Sequence, residues 1–317
     1  MKKIIIDQKK SGQRVDKFLK KEIFFDAEKI TRGKIIRNIK LGNILVNSKK
    51  IKPSFILKEN DVIDAEIKTP FFKIKLNKKI EFKIIFQNKD IIIIEKPAGL
   101  QVHPASATDQ ETNLKKTLVS GLLFQFPEIE GIGDEPEIRP GIVHRLDKDT
   151  SGMMVVARNQ KTFKELKHKF KNREILKKYQ AIVWGCPENQ KGLIEKSLAR
   201  SKDYKKQIIA GIKTKTKIYP AITEYEIIKK SLKFSLLEVI PKTGRTHQIR
   251  AHLFSIGCPI VGDKLYKNKK NKFFLENKNV KRHLLHAQKI CFELFGKEYV
   301  FESSMPQDMK NFWEKFA

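Results

Sequence analysis

The chain has 317 residues, 40% of them hydrophobic, and its 66 Lys and Arg against 36 Asp and Glu give a formal net charge of +30 and a sequence pI near 9.9. Residues 1–70 carry 18 basic and 9 acidic side chains (+9), and residues 71–317 carry 48 and 27 (+21), so the charge belongs to two folded surfaces rather than to one tail. Such an excess predicts a polyanionic partner, nucleic acid first, over the plainer reading of a lysine-rich chain with solvated faces.

Cys186, Cys258 and Cys291 stand far apart with no Cys-x-x-Cys spacing, which predicts neither a disulfide framework nor a zinc site and fits a reducing compartment. No apolar run nears the roughly 20 residues of a membrane helix, and the start, Met1-Lys2-Lys3-Ile4-Ile5-Ile6-Asp7, becomes charged too soon for a signal peptide. The expectation is a soluble, cytoplasmic, monomeric protein without membrane contact. Its length predicts two domains, each able to bury its own core.

Residues 1–10 are predicted as a short strand or arm. Val15, Phe18 and Leu19 then recur at helical spacing among Arg14, Lys17, Lys20 and Lys21, which predicts an amphipathic helix. A second helix starts at Thr31, carries Ile35, Ile36 and Ile39 on one side with Arg32, Lys34, Arg37 and Lys40 elsewhere, and ends at Leu41-Gly42-Asn43. Residues 44–47, a turn at 48–50 and alternating residues 61–67 read as a small sheet beneath these two basic helices.

Thr69-Pro70-Phe71 and the lysines of 73–79 mark a linker, because Pro ends regular structure and like charges resist compaction. The predicted division is therefore a first domain over 1–70, a basic linker over 71–80 and a larger domain over 81–317. That larger domain opens with strands at 82–86 and 91–94 and a Lys96-Pro97-Ala98-Gly99 turn. The acidic residues 131–137 read as a solvent-facing excursion, and 161–171 as a surface helix with His168 in water. Strands follow at 176–184, 219–228 and 234–240, and Pro241-Lys242-Thr243-Gly244-Arg245 turns the chain into a helix over 246–256 closed by Gly257. His247 and His252 are five apart, unlike an i, i+4 metal pair, so no metal is expected. A lysine-dense loop over 266–282, closing strands at 291–294 and 299–301, and a terminal helix beyond Met305 complete the chain.

The densest chemistry lies at Gly141-Ile142-Val143-His144-Arg145-Leu146-Asp147-Lys148-Asp149-Thr150-Ser151-Gly152, followed by the apolar run 153–157. This pattern predicts strand, tight polar loop, strand, with Asp147 at the loop, where a rigid scaffold fixes a group that water and substrate still reach. The cationic neighbours Arg145 and Lys148 favour an ionised Asp147, able to act as nucleophile or base. A plain charged turn, with Thr150 and Ser151 bonding local backbone, fits the same residues. Paired Asp147 and Asp149 also suggest glycoside hydrolysis, which sets two carboxyls about 5 to 5.5 Å apart in retaining enzymes. Against it, a charge of +30 and only two Trp do nothing for a neutral sugar. A catalytically silent RNA-binding protein is the other alternative.

Residues 144–152 resemble without a gap the signature of the RluA-type RNA pseudouridine synthases. Glu95-Lys96-Pro97-Ala98-Gly99 upstream, Lys178-Tyr179 and Thr243-Gly244-Arg245-Thr246-His247-Gln248-Ile249-Arg250-Ala251-His252 downstream continue the likeness, which covers about 80–317. Residues 12–67 resemble an S4-type RNA-binding module, through Arg14-Val15-Asp16-Lys17-Phe18-Leu19 and Gly42-Asn43-Ile44-Leu45-Val46-Asn47, with Thr31-Arg32-Gly33 in place of the usual Ser-Arg-Ser.

The resemblance implies an α+β protein: a small S4-like α+β domain followed by a pseudouridine synthase domain on a mixed, mainly antiparallel sheet. It implies isomerisation of uridine to pseudouridine in RNA without cofactor or metal, and Asp147, Tyr179 and Arg250 as the catalytic set. Tyr179 would lie against the target uracil, Arg250 would pair with Asp147, and Arg145 would fill the space left by the extruded nucleotide. Whether Asp147 attacks the ribose C1′, acts on the base or takes a ribose proton stays open. Lys148, Arg14, Lys17, Arg32, Lys34, Arg37, Lys96, Arg245 and His247 are the further RNA contacts it suggests. The nearest branch resemblance, through 139–150, is to synthases of large-subunit ribosomal RNA, so that RNA or a pre-ribosomal particle is the expected partner.

Overall fold

The computed structural model describes residues 2–22, 24–25, 28–29, 32–67, 74–104, 116–203, 206–267 and 280–317. The chain divides into two compact units, Met1–Lys73 with Asp134–Ile138, and Ile74–Gly133 with Arg139–Ala317. In the first unit the helical spacing of the sequence becomes α1 (Val15–Glu22), which buries Val15, Phe18 and Leu19 and turns its lysines outward. α2 (Arg32–Leu41) buries Ile35 and Ile39 and ends at Gly42, whose positive φ of 80° lets the Gly42 N–H return to the Ile39 carbonyl. Both helices close one core with a four-stranded sheet, β1 (Lys2–Ile5), β2 (Ile44–Val46), β3 (Lys49–Lys50) and β4 (Val62–Ala65), in the order β1-β4-β2-β3.

Two sequence expectations change near the first unit. The acidic stretch read as a solvent-facing excursion contributes Asp134–Ile138 to this unit, where Glu137 pairs with Arg37 at 3.0 Å. Of the linker read at 71–80, residues 71–73 lie outside the described residues, and from Ile74 the chain is packed within the second unit rather than free. There Ile74 is buried, the Asn77 N–H donates to the Ser120 carbonyl at 3.1 Å, and Ile80 lies over Gly121. The apolar residues between the lysines do the packing.

The second unit is built on a nine-stranded sheet. Its strands are β5 (Lys83–Gln87), β6 (Ile91–Lys96), β7 (Ser151–Ala157), β8 (Leu176–Trp184), β9 (Lys191–Glu195), β13 (Ile222–Lys230), β14 (Phe234–Pro241), β15 (Leu285–Leu294) and β16 (Lys297–Glu302). The intervening β10 (Leu198–Arg200), β11 (Gln207–Ile209) and β12 (Ile218–Tyr219) form a separate three-stranded sheet. The large sheet runs β9-β13-β14-β8-β15-β7-β6-β5, with β16 also on β15. Every pairing is antiparallel except β15 with β7. The unbroken apolar runs of β6 and β7 mark strands buried on both faces, and Ile91 to Ile94 are fully buried.

The parallel contact positions the site. His286 and Ala287 lie beside Ser151 and Gly152, so close that a Cβ at Gly152 would run into the Ala287 carbonyl. Gly152, at φ 123°, is therefore required where the Asp147 turn feeds the sheet. The predicted strand before that turn is absent: Ile142 makes one isolated bridge to Val156, and the Gly141 N–H is spent on Ile132 instead.

Helices cover the sheet. α3 (Leu118–Gln125) has no counterpart in the sequence reading, because it is apolar all round and shows no helical periodicity. α4 (Gln160–Asn172) and α6 (Gln307–Phe316) match amphipathic patterns. α5 (Gln248–Ser255) starts later than predicted because His247 takes a left-handed backbone, φ 54°, at its N-cap. The predicted strand at 219–228 is broken at Pro220 into β12 and β13. Of the lysine-dense loop read at 266–282, residues 268–279 lie outside the described residues.

Candidate active site

Asp147 opens a turn closed by its carbonyl and the Thr150 N–H, 3.1 Å apart. Three buried side chains hold that turn. The Lys96 ammonium donates to the carbonyls of Pro97, Leu100 and Lys148 at 2.7, 2.9 and 3.0 Å. Arg282 reaches the Asp149 carbonyl at 3.3 Å while its other edge grips Asp308 of α6. His283 Nε2 lies 2.7 Å from Thr150 Oγ1.

The Asp147 carboxylate faces a cavity of about 1000 Å³ that Tyr179, Arg250, His247, Arg145 and Lys177 also line. Arg250 Nη1 donates to Asp147 Oδ2 at 2.9 Å, and its opposite edge is held twice by the fully buried Asp263, at 2.7 and 3.0 Å. Asp263 in turn accepts the backbone N–H groups of Leu265 and Tyr266 at 2.8 and 2.9 Å. The guanidinium lies 5.2 Å over the Tyr266 ring, whose hydroxyl donates to the Gln207 carbonyl and lies 3.3 Å from His247 Nδ1. One connected network thus runs from α5 to the Asp147 carboxylate.

Burial alone would raise the Asp147 pKa, but the charges of His247 and Arg250 outweigh it and hold the carboxyl below the ordinary carboxylate range. Burial also lowers the His247 pKa, which leaves Arg250 as the permanent positive charge beside Asp147. Tyr179 on β8 is pushed in the opposite sense: burial, with the Asp147 charge adding to it, raises its phenol pKa and keeps the hydroxyl protonated. An ionised carboxylate and a protonated phenol therefore share one cavity. The pair can act on a sugar and move or order a proton.

The other residues predicted from sequence divide sharply. His247, Arg145 and Arg245 line the same cavity. Arg145 Nη1 lies 3.1 Å from His103 Nε2, and His103 Nδ1 lies 2.7 Å from the Pro104 carbonyl, which requires the proton on Nδ1 and leaves Nε2 to accept from Arg145. Arg245 is exposed with its guanidinium 5.2 Å over Tyr219. Lys148 is exposed beside the turn. Lys96 is a correction: it is fully buried with its three N–H groups spent on carbonyls, so it braces the Asp147 turn and is closed to phosphate.

In the first unit Arg14, Lys17 and Arg32 keep exposed or half-exposed side chains, and Lys34 is partly buried. Arg37 is a second correction, since its side chain is only 10% exposed and committed to Glu137. Asp149 does not line the cavity, which removes the paired-carboxylate reading. Asp263, Tyr266, His283 and His103 were not legible as site residues, because nothing in their spacing ties them to Asp147. A smaller hollow of about 440 Å³ between Val46 and Phe55 is lined by lysines without a carboxylate and offers no comparable acid–base set. Among the described residues no group of three His, Cys, Asp or Glu could hold a metal ion.

Residues 90–255 match a family described as RNA pseudouridylate synthase. The chain is 36% identical over 263 residues to ribosomal large subunit pseudouridine synthase D of Zymomonas mobilis, covering 81% of this chain and 80% of that one. It is 33% identical over 322 residues to an uncharacterized RNA pseudouridine synthase of Chlorobaculum parvum, covering 98% and 96%. Among solved structures, human RNA pseudouridylate synthase domain containing 4 superposes with a TM-score of 0.55 at 26% identity, over 72% of this chain and 90% of that one. The chain belongs to the RNA pseudouridylate synthases, in the RluA-type family. It is accordingly an isomerase that converts uridine in RNA to pseudouridine.

Proposed function

We propose that this enzyme modifies uridine in large-subunit ribosomal RNA, with Asp147, Tyr179 and Arg250 as its catalytic set. The supporting observation for the substrate is that relatives named ribosomal large subunit pseudouridine synthase D and C are 36% and 30% identical over 81% and 98% of the chain. The reaction breaks the N1–C1′ glycosidic bond, turns the base, joins C5 to C1′, releases the C5 proton and leaves a proton on N1, so no atom is gained or lost overall.

In this reading Asp147 works on the ribose. Arg250 ties up Oδ2 and leaves Oδ1 for the substrate. Tyr179 lies against the uracil and supplies an ordered hydroxyl. The nucleotide leaves its stack at a cost of a few kcal/mol, and Arg145, preset by His103, fills the vacated space. The first unit acts as an S4-like RNA-binding domain and the second as the synthase domain. Arg14, Lys17, Arg32 and Lys34 form RNA contacts of the first, and Lys148, Arg245 and His247 of the second. The protein works as a cytoplasmic monomer on the RNA or on pre-ribosomal particles.

The test is pseudouridine mapping in ribosomal and transfer RNA from cells with and without the gene, complemented by the wild type and by Asp147→Asn. Loss at a large-subunit site, restored only by the wild type, is expected. Loss confined to transfer RNA would overturn the substrate assignment.

A further inference from the structure

Lys177 lines the catalytic cavity from β8, two residues before Tyr179. Alternate strand residues share a face, so the two side chains project to one side about 6.6 Å apart along the strand. Its ammonium is partly buried, and burial alone lowers its pKa, with no carboxylate acting on it. Among the described residues no hydrogen bond or ion pair engages it. The two acids lining the cavity are both taken, Asp147 by Arg250 at 2.9 Å and Glu174 by Lys169 at 3.3 Å. Its ammonium lies 5.6 Å from the centre of the Phe170 ring, which also stacks His144 at 4.6 Å. A cation–π contact offsets only part of the cost of desolvating an ammonium.

A cation held there without a counter-ion is a cost to the folded protein that an anionic ligand removes. We infer that Lys177 binds a phosphodiester flanking the target nucleotide, so that base and backbone are fixed by one strand: Tyr179 against the uracil, Lys177 on the adjoining phosphate. Lys171, Arg173 and Arg139 line the same cavity and give that phosphate a cationic approach. A lysine that merely packs its stem and reaches for cavity water has the same neighbours, and the two roles differ in what RNA binding does.

This rests on the proposed function, and the experiment separates the two. Binding of an in vitro transcribed large-subunit rRNA is measured across a salt series for full-length Asp147→Asn protein, alone and combined with Lys177→Met, Lys177→Gln or Lys177→Arg. Loss of one phosphate contact flattens the slope of log affinity against log salt by about one, and loss of a charged hydrogen bond weakens binding about tenfold. Met and Gln are expected to show both, with Arg close to the parent. The melting temperature of the Met variant is expected to be no lower than the parent's, since an uncompensated buried charge is gone. An unchanged salt slope in Met and Gln, or a melting temperature several degrees lower with that slope unchanged, would overturn the role of Lys177. Wild-type protein that forms no pseudouridine on this RNA would instead sink the substrate reading.

Discussion

Two ion clusters in this chain are charge inverses of one another. In the first unit a fully buried carboxylate, Asp16, sits between two guanidiniums whose side chains are 39% and 45% exposed, Arg14 at 3.0 Å and Arg32 at 2.5 Å. In the second a guanidinium only 6% exposed, Arg250, sits between the fully buried Asp263 and Asp147, which is 20% exposed to the cavity. The sums are +1 and −1. In each the buried member and its tight partners fix geometry, while the member that reaches solvent is available for work. In the proposed function the first arrangement would offer cations to a polyanion, and the second would deliver a carboxylate to a sugar inside a protein of net charge +30. On that proposal the same pair chemistry serves binding in one unit and catalysis in the other.

The strongest way to break this comparison is to neutralise the outer member of the second cluster. Asp147→Asn keeps the shape and loses the charge, and is expected to lower turnover by at least about a thousandfold while RNA affinity stays within a few-fold. Single-turnover pseudouridine formation and equilibrium binding read the two quantities separately. Turnover within tenfold of the wild type would show that Asp147 does not act on the substrate. Tyr179→Phe comes next: the ring still stacks, so binding holds, but loss of the protonated hydroxyl costs roughly 100- to 10,000-fold in rate if it orders a proton transfer. Equal rates would reduce Tyr179 to a stacking surface.

Stability sharpens the contrast. Arg250→Ala leaves Asp263 buried without its cation, and removal of one partner of such a pair costs about 3 to 5 kcal/mol. Asp16→Asn leaves two arginines that can turn to water, so its cost is expected to be clearly smaller in denaturant titrations. Equal losses would mean that exposure does not separate the clusters. The pH dependence follows from the carboxylates: Asp147, Asp263 and Asp16 are opposed by burial, yet their cationic partners, His247 with Arg250 for Asp147 and arginines for the other two, hold all three below the usual 3.8. The unfolded state then binds more protons in the window below about pH 4, so the stabilisation is present above that range and is lost as pH falls through the depressed values. Arg250→Ala should flatten acid unfolding in that window more than Asp16→Asn does.

The two clusters also differ in how far the sequence disclosed them. Asp16 lies two residues from Arg14 and on the helix that follows it, and both basic helices were visible as apolar residues at three- and four-residue steps. Strand β8 was legible over its full length, and Asp147 stood out as a polar turn before a buried strand. Asp263 was invisible because it reaches Arg250 across a turn after α5, where no periodicity links the two. The buried helix α3 left no pattern because every side of it is apolar. Lys96 and Arg37 misled for a shared reason: a sequence shows that a residue is cationic and is silent on whether a buried carbonyl or carboxylate already holds it.

The smallest effect tests the outer members of the first cluster. Arg14 and Arg32 hold Asp16 through one edge, and their exposed remainder is what a phosphate would meet. Each of Arg14→Gln and Arg32→Gln is expected to weaken binding of large-subunit rRNA only a few-fold, because one contact among many is lost. Each should also flatten the salt slope by about one, the signature of a phosphate contact. Turnover of bound RNA should stay at the wild-type rate, since neither side chain lines the Asp147 cavity. Lys17→Gln, beside them on α1 and outside the cluster, calibrates the size of the effect. An unchanged slope in both arginine variants, alongside a measurable loss of stability, would make the first cluster a structural pair and confine phosphate recognition to other surfaces of the protein.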